Sequence, residues 1–152
     1  MNRMVVILTL IAGVMAASFS HTLGMAPVLG ALLCAACFLR RRDVLVIGLG
    51  AMLIRDALTG FSLFTLVRVV AILGVIGVIW AIRVRPRWSS LLFGLALAAP
   101  VYHLVLATGD WITQFCTQEP HTAAGFAATL MSSLPYIQRS LVSELLFTTA
   151  FV

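Results

Sequence analysis

From Val44 to Ile82 the chain is an apolar run whose charged interruptions are Arg55, Asp56 and Arg68. A soluble domain of this size has no core large enough to hide such a run, whereas a bilayer accepts it. An ionisable side chain at the bilayer centre costs roughly 2.5–3.5 kcal/mol on insertion scales. Arg55 and Asp56 are therefore expected to sit near an interface, to pair, or to line a polar cavity. Composition agrees: 62% apolar and 10% charged residues in a 152-residue chain place it with integral membrane proteins.

A chain of this length holds about six crossings at ~20 residues each. The expected fold is all-α, an integral membrane six-helix bundle in a single domain over residues 1–152. Its predicted helices are 4–18, 27–39, 44–58, 62–82, 88–109 and 136–152. Pro27 suits the opening turn of the second helix, Trp88 marks an interface, and Pro100 predicts a kink. Between residues 109 and 136 the small-residue stretch 122–134 predicts a short helix, surface or re-entrant, that ends at Pro135. Met1 to Ser18 imitates a secretory signal, with Arg3, an apolar core and small residues after it. A retained first helix is expected instead, because cleavage would leave an odd number of crossings and disturb the charge pattern.

That pattern comes from ten arginines, no lysine and five acids, a net charge of +5. Arg40, Arg41 and Arg42 form one cluster and Arg83, Arg85 and Arg87 another, each between two hydrophobic segments. Basic loops of this kind belong on the cytoplasmic side, where their partner is the anionic leaflet of the lipid bilayer rather than nucleic acid. Both termini are then inside, and the connections near His21, Gly60 and 110–121 are outside.

With this topology the polar groups of four helices fall on the outer side. Asp56, Arg68, His103, Asp110, Trp111, His121, Arg139 and Glu144 are the candidate lining or roof of an outward-facing pocket. The alternative is a set of structural ion pairs, Asp56 with Arg68 or Arg139 with Glu144, that hold helices in register. Ala12 and Ala16, and Gly13 and Ala17, make a small-residue strip suited to close packing, within this chain or against another membrane protein. Cys34 and Cys37 read as small packing residues, and His103 has no metal-spaced partner, so no metal or cofactor is expected. Ser62 and His103 are a weak nucleophile and base pairing. No phosphate loop, nucleotide fingerprint or catalytic carboxylate pair occurs, so an enzyme is not expected.

Three stretches carry a family resemblance: Met25 to Ala31, Ala51 to Phe61, and His121 to Gly125 continuing through Leu134-Pro135-Tyr136 to Ser143-Glu144-Leu145-Leu146-Phe147. In these the chain resembles the substrate-binding (S) components of energy-coupling factor transporters, and more closely a small uncharacterised family of bacterial membrane proteins related to them. The resemblance implies a multi-pass protein of the bacterial cytoplasmic (inner) membrane that captures a vitamin-like small molecule from outside. Its implied partners are a transmembrane coupling protein and two ATPases. The strip Ala12-Gly13-Val14-Met15-Ala16, with Ala17, matches the spacing through which S components contact the coupling protein. Glu144 stands where the related family tends to show aspartate, and His103 or Thr108 where it tends to show asparagine. No family substrate is carried over. A structural or assembly subunit of a larger membrane complex is the second expectation.

Overall fold

The computed structural model describes residues 28–82, 87–114 and 120–151, and these are all-α. Five helices follow in order: α1 (Val28–Phe38), α2 (Arg41–Thr59), α3 (Leu63–Ile82), α4 (Trp88–Thr113) and α5 (Ala123–Phe151). The first predicted helix, 4–18, lies outside the described residues.

The shortest helix is the centre of the structure. α1 touches each of the other four described helices. Leu29, Leu32, Leu33 and Ala35 are fully buried and Ala31 and Cys34 nearly so, which is why α1 is apolar on every face instead of amphipathic. Around it pack Val44, Ile47, Ala51 and Met52 of α2, Ile72, Val75, Ile76 and Ile79 of α3, and Leu91, Leu95, Ala98 and Ala99 of α4. α5 closes the assembly against both α1 and α4.

The α1–α2 connection is only Leu39 and Arg40. Arg40 is extended (φ −74°, ψ 155°), and its N–H donates to Asp43 Oδ2 at 3.3 Å while its carbonyl accepts from Asp43 and Val44. That carboxylate in the first turn also meets the positive end of the helix dipole. α2 therefore begins at Arg41, three residues before the predicted start, and takes Arg41 and Arg42 into its first turn. It ends where Gly60, at φ 103°, donates to the Asp56 carbonyl, a conformation that favours glycine. Ser62 then opens α3, its carbonyl accepting from Thr65 N–H and its own N–H donating to Thr65 Oγ1 at 3.2 Å.

α3 and α4 form an antiparallel hairpin whose register is read from two close approaches. Gly109 lies against Val67, and Gly74 lies against Val101. This register places Arg87 at the same end as Trp80, where the Arg41 guanidinium sits 5.5 Å from the Trp80 ring centroid. Arg40, Arg41, Arg42 and Arg87 are all exposed there, so the two arginine-bearing connections share one end of the bundle. The opposite end carries Gly60, Asp110 and the start of α5.

Two expectations are corrected in the second half of the chain. α4 runs to Thr113, not 109, and closes at Gln114 in the left-handed conformation with its N–H on the Asp110 carbonyl. Asp110 and Trp111 are thus helical rather than loop residues. Pro135 does not end a helix: α5 is continuous for 29 residues, where two helices were predicted. Pro135 has no N–H to give the Met131 carbonyl. The turns before it are tied instead by Thr129 Oγ1 on the Gly125 carbonyl, Ser132 Oγ on Thr129 and Ser133 Oγ on Leu130, and packing on α1 and α4 holds both halves in line.

α3 and α4 are each long and apolar enough to cross a membrane, by length and composition.

Candidate ligand-binding site

The charged pair at the end opposite the arginines is the best-defined polar feature. Asp56, one turn from the end of α2, is fully buried. The Arg68 guanidinium, in the second turn of α3, donates through Nη1 to Asp56 Oδ1 at 2.5 Å, and its carbon lies 5.2 Å from the Phe64 ring centroid. Asp56 Oδ2 is equally buried and has no hydrogen-bond partner among the described residues. A carboxylate with one oxygen on a cation and the other without a donor among the described residues is half-satisfied there, and such a group accepts a hydrogen bond from any ligand or water that carries a donor.

The Val67–Gly109 contact brings α4 alongside this pair. Gly109 has almost no room for a side chain, since a Cβ there would overlap Val67. Asp110, the next residue, is buried and engaged within the fold. Three of the predicted residues, Asp56, Arg68 and Asp110, thus come from three helices to one level of the bundle.

Beside them lies an aromatic knot that joins α4 to α5. Trp111 Nε1 donates to the Pro120 carbonyl at 3.1 Å, and the Trp111 ring is edge-on to His121 at 5.4 Å and to Phe126 at 5.5 Å. The Pro120 carbonyl also accepts from Thr122 N–H, and Thr122 Oγ1 caps α5 through Gly125 N–H at 3.1 Å. Gly125 faces that same carbonyl oxygen so closely that a Cβ would overlap it. Gly125→Ala is expected to break the turn and the Trp111 contact together. The check is intrinsic tryptophan fluorescence, which should shift in wavelength with a lower melting temperature. Trp111→Phe removes one hydrogen bond and keeps most of the ring, so its expected cost is about 1 kcal/mol, read from a melting curve.

The remaining predicted residues are not part of this arrangement. Glu144 does not pair with Arg139. Its carboxylate is buried and accepts Leu29 N–H on Oε1 at 3.1 Å and Gly30 N–H on Oε2. It caps the N-terminus of α1 from a helix 115 positions away, where the dipole favours a negative charge. Gly30 has no side chain because a Cβ would meet Thr148 Oγ1 at 2.9 Å and the Glu144 carbonyl at 3.0 Å. Arg139 is exposed on α5. Sequence reasoning missed the Glu144 clamp because its partners are backbone groups. The available signal was a short apolar helix with no capping side chain visible near its start.

His103 faces a different region, a groove of about 390 Å³ between α4 and α5, bounded by Ala96, Ala99, Pro100, Leu130, Ile137 and Leu141 among others. By the Gly109–Val67 and Gly74–Val101 register it lies level with about residue 72 of α3. Ser62, just before that helix and some ten residues earlier, is roughly 15 Å away along the axis, its backbone N–H and carbonyl capping α3. These two residues do not form a nucleophile and base pair. No cluster of potential metal ligands occurs among the described residues. Ala12, Gly13, Ala16 and Ala17 lie outside them.

A protein-family model described as a family of unknown function matches residues 1–152, the whole chain. The chain belongs to the DUF6580 family. This DUF6580 member has no match among curated proteins and none among solved structures. Its family membership agrees with the resemblance to an uncharacterised family.

Proposed function

We propose that this DUF6580 protein is a membrane-embedded six-helix subunit that binds a small molecule for uptake, in the manner of an energy-coupling factor S component. The observation that carries the reading is the Asp56–Arg68 pair, with Asp56 fully buried, Arg68 22% exposed and Asp56 Oδ2 without a hydrogen-bond partner among the described residues. It lies at the end of the bundle opposite the exposed arginines, which is the outer end if those arginines face the cytoplasm. By the Val67–Gly109 contact Asp110 lies at the same level of the bundle, and the Trp111–Pro120–His121 knot follows directly on α4.

The membrane setting is supported by the outward faces of the helices. Leu63, Leu66, Val70 and Leu73 form an exposed apolar stripe on α3, and Leu92, Phe93, Leu97 and Leu104 do so on α4. Apolar surface on this scale suits lipid and would aggregate in water. α5, at ~43 Å for its 29 residues, exceeds a ~30 Å hydrocarbon core and would tilt or project from it.

The ligand class that fits is a small polar molecule with a hydrogen-bond donor for Asp56 and an acceptor for Arg68. Mild purification from the native membrane followed by mass spectrometry of co-purifying small molecules and proteins tests the proposal. It predicts a stoichiometric small molecule, a transmembrane coupling protein and ATPases. Recovery of a different membrane assembly with no small molecule would instead favour a structural or assembly subunit. One observation does favour that second reading: the Glu144 clamp on α1 uses a buried acid for architecture alone.

A further inference from the structure

We infer that the outward face of α5 around Arg139 is the docking surface for a membrane-spanning helix of another protein, one that presents a carboxylate to this arginine. This docking face rests on the membrane setting proposed above but not on the Asp56–Arg68 site. Ser140, Glu144 and Thr148, spaced four apart, mark the buried side of α5, and Arg139 lies about 140° round the helix from Glu144. Arg139 is exposed, and Ser132, Tyr136 and Gln138 are exposed near it. The outward stripes of α3 and α4, in contrast, are built from leucine, valine and phenylalanine.

Depth is what makes this arginine informative. A ~30 Å hydrocarbon core takes about 20 helical residues, and any run of that length within Ala123–Phe151 contains Arg139. A guanidinium turned outward at that depth is costly against lipid and calls for a partner. Four of the chain's five acids are committed elsewhere: Asp43 caps α2, Asp56 holds Arg68, Asp110 is buried and engaged, and Glu144 caps α1. The fifth, Glu119, lies outside the described residues, but Pro120 after it sits against Gly125, about 21 Å from Arg139 along α5. Residues 1–27 contain no Asp or Glu. A second copy is a poor occupant, because two copies with the same orientation in one membrane bring their Arg139 side chains to the same depth, like charge on like charge. A carboxylate on another protein's helix makes the charge-assisted, two-pronged pair that arginine favours, and Tyr136 and Gln138 add hydrogen-bonding groups beside it.

The photo-crosslinking amino acid p-benzoylphenylalanine tests this in the full chain in its native membrane, in place of Tyr136 or, as a control, of Leu97 on the outward stripe of α4. Irradiation should give a protein adduct from position 136 and none from 97, and mass spectrometry should map it to a transmembrane segment that contains Asp or Glu. Arg139→Leu should lower the adduct about tenfold, the affinity equivalent of one strong interhelical contact in a membrane, while Arg139→Lys retains most of it. Because Arg139 faces away from the core, the Arg139→Leu protein should melt in detergent with the wild type, which separates docking from folding. Arg139→Glu should abolish the adduct, and lysine in place of the partner's mapped acid should restore it. No protein adduct at 136, equal labelling from both positions, or an adduct with a second copy or with residues 1–27 would overturn the inference. So would a mapped segment without an acid, or a yield indifferent to Arg139→Glu. The small molecule at Asp56 is read separately, so either proposal can fail while the other stands.

Discussion

Glu144→Ala is expected to destabilise the fold by roughly 3–5 kcal/mol. The carboxylate accepts two buried N–H groups from the first turn of α1, and each donor left unpaired costs about 1–3 kcal/mol. α1 is the helix on which the other four pack, so a loosened first turn is felt by the whole core. Glu144→Gln should fall between the two, because its amide presents one acceptor and turns an NH₂ toward the second donor. The measurement is thermal unfolding of the purified protein in a fixed detergent, with a drop on the order of 10 °C for the alanine variant. An alanine variant that melts with the wild type would remove the clamp from the account.

Arg68→Ala is the second large effect. It leaves Asp56 buried without its cation, a change that costs about 3–5 kcal/mol when one partner of a buried pair is deleted. The double variant Asp56→Leu with Arg68→Met should recover most of that loss, since apolar residues of similar volume often replace a buried pair without penalty. Comparing the two variants separates architecture from function. If the pair exists for a ligand, the double variant folds and binds nothing. If it exists for architecture, the double variant loses no activity that the wild type has.

Much of the helical layout was legible because apolar runs bounded by Arg, Gly and Pro are a local signal. The segments predicted at 27–39, 62–82 and the start at Trp88 agree with α1, α3 and α4 to within a residue. The shared end of Arg40, Arg41, Arg42 and Arg87 was also legible, since alternating loops follow from short connections. What escaped was set by contacts that local reading does not see. Asp43 starts α2 early by capping Arg40 N–H. Pro135 reads as a terminator by itself, yet side-chain hydroxyls and packing carry α5 through it. Asp110 and Trp111 look like loop residues beside Gly109, but Gly109 is small because Val67 needs the space, and the helix continues.

The candidate site was legible in part for the same reason. Asp56 and Arg68 are near in sequence, on either side of one tight turn, and their pairing follows from a helical hairpin. Glu144 looked like a partner for Arg139 because both are charged and close in the chain. Five positions apart on a helix, they do not share a face, and the backbone N–H groups that hold Glu144 carry no mark in the sequence. His103 was placed with the outer polar groups by its position on α4. Its ring lines the α4–α5 groove instead, a matter of which face of α4 it occupies.

The most direct test of the binding proposal is native mass spectrometry of the protein released from gently solubilised membranes, wild type beside Asp56→Asn. This substitution keeps the size of residue 56 and removes its charge. A small-molecule adduct is expected on the wild type and is lost from a folded Asp56→Asn protein, while Trp111→Phe retains it. An adduct that persists undiminished in Asp56→Asn, or a wild-type protein that carries none, would contradict it.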